Sequence, residues 1–226
     1  MLSLFEQPRF ALDNASELPG GYELFIRESQ AGQWRTLADF NQVTPEDITQ
    51  LLMSSINCLP AYISLVSLNL EQQQFIDDRY ATAVSHVQKL TNVHIMVELT
   101  ERGDANVSYG AMMLAAQRFQ SAGVEVCIDD VGTGANTEAL VQALSPYVNE
   151  YKFALQNVRP DQTIDDVADQ ITAWSTLAHQ HGKRFILEGI ETSEDLAQVK
   201  SQFDCDGVQG YFWGKPAPLP ILPAEA

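Results

Sequence analysis

The sequence predicts an α/β protein of the (β/α) barrel type, and three observations carry that prediction. Short β-branched runs alternate with longer segments of helical periodicity. The runs are mostly apolar on both faces, the pattern of parallel strands covered by helices. At least six such units fit in 226 residues, which favours a barrel over an open sheet.

Taken in order, Thr44-Pro45-Glu46-Asp47 reads as an N-cap, a first-turn proline and an acidic first turn. It leads into Ile48, Leu51, Leu52, Ile56 and Leu59 at helical spacing. Strands are expected over 62–70 and 94–101, followed by a helix over 112–122 that Gly123 closes. Further strands fall at 124–130 and 150–155. Thr163-Ile164-Asp165-Asp166 opens a helix with Ile164, Val167, Ala168, Ile171 and Ala178 on one face and Gly182 past its end. A strand over 184–190, a helix with Ser193 as N-cap candidate and a short strand over 207–211 complete the series. No linker, low-complexity tract or internal repeat interrupts it, so a single domain over residues 1–226 is expected.

Thirteen Lys and Arg stand against 30 Asp and Glu, a formal net charge of −17, while 45% of residues are apolar and 19% charged. That composition is globular. The acidity argues against a groove for polymeric DNA or RNA and against docking on an anionic membrane. It leaves room for a small phosphate ester bound through divalent cations, which invert the local sign. Cys58, Cys127 and Cys205 form no C-x-x-C pair and read as small apolar fillers in a reducing, cytoplasmic setting. The first residues lack a secretory pattern, and no apolar run approaches the roughly 20 residues that span a bilayer.

In parallel α/β folds chemistry gathers at the carboxyl ends of strands. The polar residues there are Glu23, Asn69, Glu98 with Glu101, Asp129 with Asp130, Lys152, Glu188 with Glu191, and Gln209. Each sits inside or directly after an apolar run, where a charge needs a partner. Two like charges about 4 Å apart cost on the order of 4 kcal/mol at an effective dielectric near 20, so five converging carboxylates exceed what one lysine balances. An all-oxygen donor set with one Asn points to Mg²⁺ or Mn²⁺, and adjacent Asp129 and Asp130 suit a pair of ions acting on a phosphate ester.

Gln7-Pro8, Tyr22-Glu-Leu-Phe-Ile-Arg27, Leu68-Asn69, Glu98-Leu-Thr-Glu101, Asp129-Asp-Val-Gly-Thr-Gly134, Lys152, Glu188-Gly-Ile-Glu-Thr192 and Val208-Gln-Gly-Tyr211 with Lys215-Pro216 resemble, in order, the motif series of the EAL domain. The likeness runs from residue 5 to about 218. It implies a modified (β/α)8 TIM-like barrel that hydrolyses cyclic di-GMP to its linear dinucleotide with two Mg²⁺ or Mn²⁺ ions. By the same resemblance Glu23, Asn69, Glu98 and Asp129 are ligands of one ion, and Asp129 and Asp130 serve the second. Lys152 stands near the attacking water, Glu188 positions metal or water, and Gln209 lies near the same centre. Arg27 would hold a substrate phosphate, Gln7 would reach a guanine edge, and Glu101 would brace the loop after Asp130. Dimers are common in the family.

The chain departs from the family pattern at three places. Glu23-Leu24-Phe25 replaces E-A-L, putting Phe25 where a leucine packs near substrate. The loop after Asp130 lacks the usual Phe and Tyr, and Lys152-Phe153-Ala154 replaces K-I-D, removing an acid. These departures favour a second expectation, a catalytically silent EAL protein that acts as a cyclic di-GMP receptor or binds a protein partner. An unrelated Mg²⁺-dependent barrel enzyme is a third. His179 and His181 at a helix end read as cations facing its dipole, His86 and His94 as structural, and Phe212 with Trp213 as core beside the last strand.

Overall fold

The computed structural model describes residues 1–12 and 18–219 and places ten strands in one sheet. They are β1 (Leu2–Ala11), β2 (Gly21–Gln30), β3 (Gln33–Thr36), β4 (Leu65–Leu70), β5 (His94–Leu99), β6 (Glu125–Ile128), β7 (Glu150–Ala154), β8 (Arg184–Glu188), β9 (Gly207–Gln209) and β10 (Ala217–Pro218). The sheet order is β10-β1-β9-β8-β7-β6-β5-β4-β2-β3, and β1 also pairs with β2, so eight strands close a barrel with β3 and β10 as extensions. Strands β2 and β4 to β9 run parallel, whereas β1 lies antiparallel between β2 and β9. That reversal sets Gln7 opposite Glu23, with Arg9 on the same face one layer deeper, opposite both Gly21 and Gln209.

The alternation of side chains sorts the strands into two environments. Leu68, Leu70, Val97, Leu99, Val126, Ile128, Tyr151, Phe153 and Leu187 join one apolar cluster with the helices outside the barrel. Those helices are α1 (Pro45–Ile56), α2 (Gln72–Ile76), α3 (Asp78–Gln88), α4 (Tyr109–Ser121), α5 (Glu138–Leu144), α6 (Ala168–Gln180) and α7 (Ser193–Gln202). Ile48, Phe75, Val84, Phe119, Leu140 and Ile171 are their inward anchors, each at most 1% exposed. Burying one such side chain stabilises by about 1.5–3 kcal/mol. The other parity faces the barrel axis and is largely polar: Ser67, Glu98, Glu150, Lys152, Glu188 and Gln209 are all buried.

The closed barrel matches the expectation, and its parallel strands β4 to β9 fall within the expected runs. The first two strands were not legible as such, because Glu6, Gln7, Arg9, Glu23 and Arg27 interrupt their apolar pattern. The helix expected from Thr163 starts at Ala168. Thr163 and Asp166 exchange capping hydrogen bonds around a short 3₁₀ turn, Asp165–Val167, which precedes it. Ser193 is the first residue of α7 rather than its cap; Thr192 caps it, in a reciprocal box with Asp195. Among the described residues no helix is long and apolar enough to cross a membrane.

Candidate functional site

At the carboxyl end of the barrel Lys152 is wholly buried and ringed by acids. Its Nζ lies 2.7 Å from Glu98 Oε2, 3.0 Å from Glu23 Oε2 and 3.4 Å from Asp129 Oδ1, and it also contacts Glu188 Oε1. Strands β2, β5, β7 and β8 and the residue after β6 each contribute one of these groups. Neutral amides complete the ring. Asn69 Nδ2 donates to Glu23 Oε1 at 2.7 Å, and Gln209 Nε2 donates to Glu23 Oε2 at 2.8 Å and to Gln7 Oε1 at 3.1 Å. Gln156 Nε2 donates to Glu188 Oε2 at 3.3 Å.

Burial and crowding set the protonation of this ring. Burial alone would lower the Lys152 ammonium, but Asp129, Glu188, Glu23 and Glu98 hold it well above its ordinary value. Burial pushes Glu98, Asp129 and Asp130 up, and neighbouring acids add to this despite Lys152. Burial likewise pushes Glu188 up to about 7. Glu23 alone is lowered, because Lys152, Asn69 and Gln209 all stabilise its carboxylate against the effect of burial.

The turn after β6 is bound on both sides. Asp130 adopts φ +49°, a left-handed conformation that Asp tolerates better than most residues. Val131 N–H donates to the Lys152 carbonyl at 2.9 Å, and Ala135 N–H to the Glu101 carbonyl at 2.8 Å. Gly134, at φ +54°, lies so close to that carbonyl that a Cβ would collide with it. The contact between Glu101 and this turn is made by its backbone oxygen. Asn136, fully buried, donates its side-chain amide to the carbonyls of Leu99 and Asp129. That role was not legible beforehand, since a polar residue in a Gly-rich turn reads as solvated.

Whether these residues suit divalent cations is tested by their spare oxygens. No hydrogen bond reaches Glu98 Oε1, Asp129 Oδ1, Asp130 Oδ1 or Glu188 Oε1, although the second and fourth lie in ion-pair range of Lys152. Asp129, Asp130 and Glu188 offer oxygens within 4.8 Å of one another. Buried lone pairs of that kind, all on oxygen, fit Mg²⁺ or Mn²⁺. Above them opens a cavity of about 400 Å³ whose lining includes Gln7, Phe25, Arg27, Glu101, Arg102 and Tyr211. The guanidinium of Arg27 lies 5.3 Å above the Phe25 ring. Of the sequence-derived site residues, Lys152 and Glu98 do not border this cavity and lie buried beneath it; the others line it.

A second charged group, missed from the sequence, lies beneath the first. Arg9 is buried, contacts Glu150 Oε1 and reaches within 3.8 Å of Glu98 Oε1. Glu150 also accepts from Arg184 Nε at 3.0 Å, and Arg184 pairs with Glu125. The other expectations fare unevenly. His179 lies against Asp204 and Asp206, and His86 and His94 are exposed, with His94 3.8 Å from Glu125. Trp213 stacks on Phe10 at 4.7 Å, and Phe212, expected in the core beside it, is exposed. Cys127 and Cys205 are buried and Cys58 is partly so.

Comparison with known proteins agrees with this architecture. The chain is 26% identical over 181 residues to the cyclic di-GMP phosphodiesterase NbdA of Pseudomonas aeruginosa, covering 78% of this chain but only 22% of NbdA. This chain thus spans about a fifth of that relative's length. Its fold superposes on an EAL domain protein from Listeria monocytogenes with a TM-score of 0.78, at 20% identity over 96% of this chain and 89% of that one. It superposes on the MucR phosphodiesterase in complex with c-di-GMP with a TM-score of 0.77, at 21% identity over 96% and 92% of the two chains. A third neighbour is the Bacillus subtilis YkuI protein in complex with substrate c-di-GMP and calcium, with a TM-score of 0.76 at 16% identity over 98% and 57%. The EAL domain family model itself matches residues 31–216. The match covers most of the chain and includes Asn69, Glu98, Asp129, Asp130, Lys152 and Glu188: the protein belongs to the EAL domain family.

Proposed function

We propose that this chain, as one EAL-type unit, hydrolyses cyclic di-GMP to the linear dinucleotide pGpG by in-line attack of water on one phosphorus, the ribose 3′ oxygen leaving. The observation that carries the reading is the imbalance at the barrel mouth. Lys152 faces Glu23, Glu98, Asp129 and Glu188 together, and buried oxygens of this set lack hydrogen bonds. Glu23, Asn69, Glu98, Asp129, Asp130 and Glu188 would hold two Mg²⁺ or Mn²⁺ ions, which when bound neutralise phosphate charge and acidify water. In this reading Lys152 and Glu188 orient the water, and Gln209 holds Glu23 in place. Arg27 meets a phosphate oxygen, Gln7 reaches a guanine edge, and Phe25 packs against the ligand. The names of NbdA and of the MucR and YkuI complexes support the choice of cyclic dinucleotide.

One observation favours the receptor reading. Ala154 lies beside Glu188 in the β7–β8 register and supplies no carboxylate where the family's K-I-D motif places one. Incubating the purified chain with cyclic di-GMP and Mg²⁺ or Mn²⁺, then separating products by chromatography, decides between the two. Linear product that disappears in Glu23→Ala is expected. Tight binding without product would promote the receptor reading, and neither binding nor product would refute both.

A further inference from the structure

Two arginines line the cavity, and they are held differently. Arg27 rests over Phe25 and donates to the Ile26 carbonyl at 3.3 Å; among the described residues it has no ion-pair partner. Arg102 lies in the loop after β5 with its NH2 2.7 Å from Glu71 Oε1 and its guanidinium 5.3 Å above the Phe40 ring. Its side chain is 54% exposed, and both Arg102 and Phe40 border the cavity. Glu71 thus cancels its charge and engages one end of the fork, while the phenyl ring fixes the plane. The remaining N–H groups have no acceptor among the described residues.

We propose that Arg102 is a specificity residue that reads the O6/N7 edge of one guanine of the cyclic dinucleotide. The proposal rests on the cyclic di-GMP reading of the site. The phosphates have better partners in the cations of the floor and in the uncompensated Arg27. A guanidinium already neutralised by a carboxylate gains little from a phosphate's charge, yet its planar fork keeps the geometry that matches two acceptors in one plane. Guanine presents such a pair. Adenine presents an acceptor at N7 but a donor amine at position 6, which opposes the fork. Arg102 therefore separates guanine from adenine without adding net positive charge to the cavity. Glu71, which follows β4 within two residues of Asn69, ties this reader to the wall that carries the floor.

The test measures binding by calorimetry, with Ca²⁺ in place of Mg²⁺, of cyclic di-GMP and cyclic di-AMP to wild type and Arg102→Ala. Arg102 is on the rim, so the variant folds; its thermal melt checks this. Wild type is expected to prefer the guanine ligand. Arg102→Ala is expected to bind cyclic di-GMP at least tenfold more weakly while its affinity for cyclic di-AMP changes less than twofold. Unchanged affinity for cyclic di-GMP overturns the inference. So does an equal loss for both ligands, which would place a phosphate at Arg102 instead. If wild type binds neither ligand, the reading of the whole site falls and this inference with it.

Discussion

The upper ring of the barrel interior sets Lys152 against Glu23, Glu98, Asp129 and Glu188, four carboxyl groups around one ammonium, with only Arg9, 3.8 Å from Glu98, as a further cation among the described residues. The lower set places Arg9 and Arg184 against Glu150 and Glu125, two of each sign and no remainder. Arg9 and Glu150 are buried like the upper ring, while Arg184 and Glu125 are partly exposed, and burial penalises charge wherever it is complete. The lower set meets that penalty with ion pairs alone, as a structural element must. The upper ring does not: burial, with the neighbouring acids adding to it, pushes Glu98, Asp129 and Glu188 up despite Lys152. A barrel able to pair charges in one layer leaves carboxyls without cations in the next, which is what the proposed cation site requires.

The largest effect should come from breaking the upper ring as a site without breaking it as a structure. Asp129→Asn is expected to abolish metal-dependent hydrolysis, by a factor on the order of 10³ or more, while leaving the melting temperature of the metal-free protein unchanged or raised. A lowered melting temperature would mean that the ring is structural after all. The lower set should respond in the opposite way. Arg9→Met leaves Glu150 with part of its compensation gone and is expected to destabilise by about 3–5 kcal/mol in denaturant titrations. Pairing it with Glu150→Met should recover most of that loss, because the double change removes the buried pair together.

The two layers should also differ in their response to pH. Burial raises Glu188 from 4.5 to about 7, with Glu98, Asp129 and Asp130 displaced the same way. The folded protein keeps these protons where the unfolded chain has released them. Stability of the metal-free form therefore falls as pH rises from about 4.5 to about 7. Glu150 is lowered, since Arg9 and Arg184 outweigh its burial, so its stabilisation is present above 4.5 and is lost as pH falls below its folded value. Melting temperature against pH, with and without saturating Mg²⁺, separates the two. Mg²⁺ is expected to flatten the fall toward neutrality and to leave the acid limb in place. A smaller effect concerns the turn that carries Asp130. Asn136→Ala removes the amide from two buried carbonyls and should cost about 1–3 kcal/mol, measured by chemical denaturation.

How far the sequence revealed this molecule depends on where each residue's partners lie. Strands β4 to β8 were legible because their outward residues meet helices and keep the runs apolar. Strands β1 and β2 were hidden by the interior residues Gln7, Arg9 and Glu23 that make them functional. Glu98, Asp129, Asp130 and Glu188 stood out as charges amid apolar runs. Arg9 did not, for it follows Pro8 on an interrupted strand and its partner Glu150 is 141 residues away. Asn136 and Arg102 were invisible for a related reason. Their roles depend on backbone carbonyls and a phenyl ring that the closed barrel alone brings near them.

The central claim is that the upper ring is deficient in positive charge because divalent cations complete it. Titrating the purified protein with Mn²⁺ and following the free ion by electron paramagnetic resonance tests this directly. Saturable binding in wild type that is lost in Asp129→Asn but retained in Arg9→Met/Glu150→Met is the predicted result. A folded wild-type protein that takes up no Mn²⁺, or an Asp129→Asn variant that binds it as wild type does, would contradict the account.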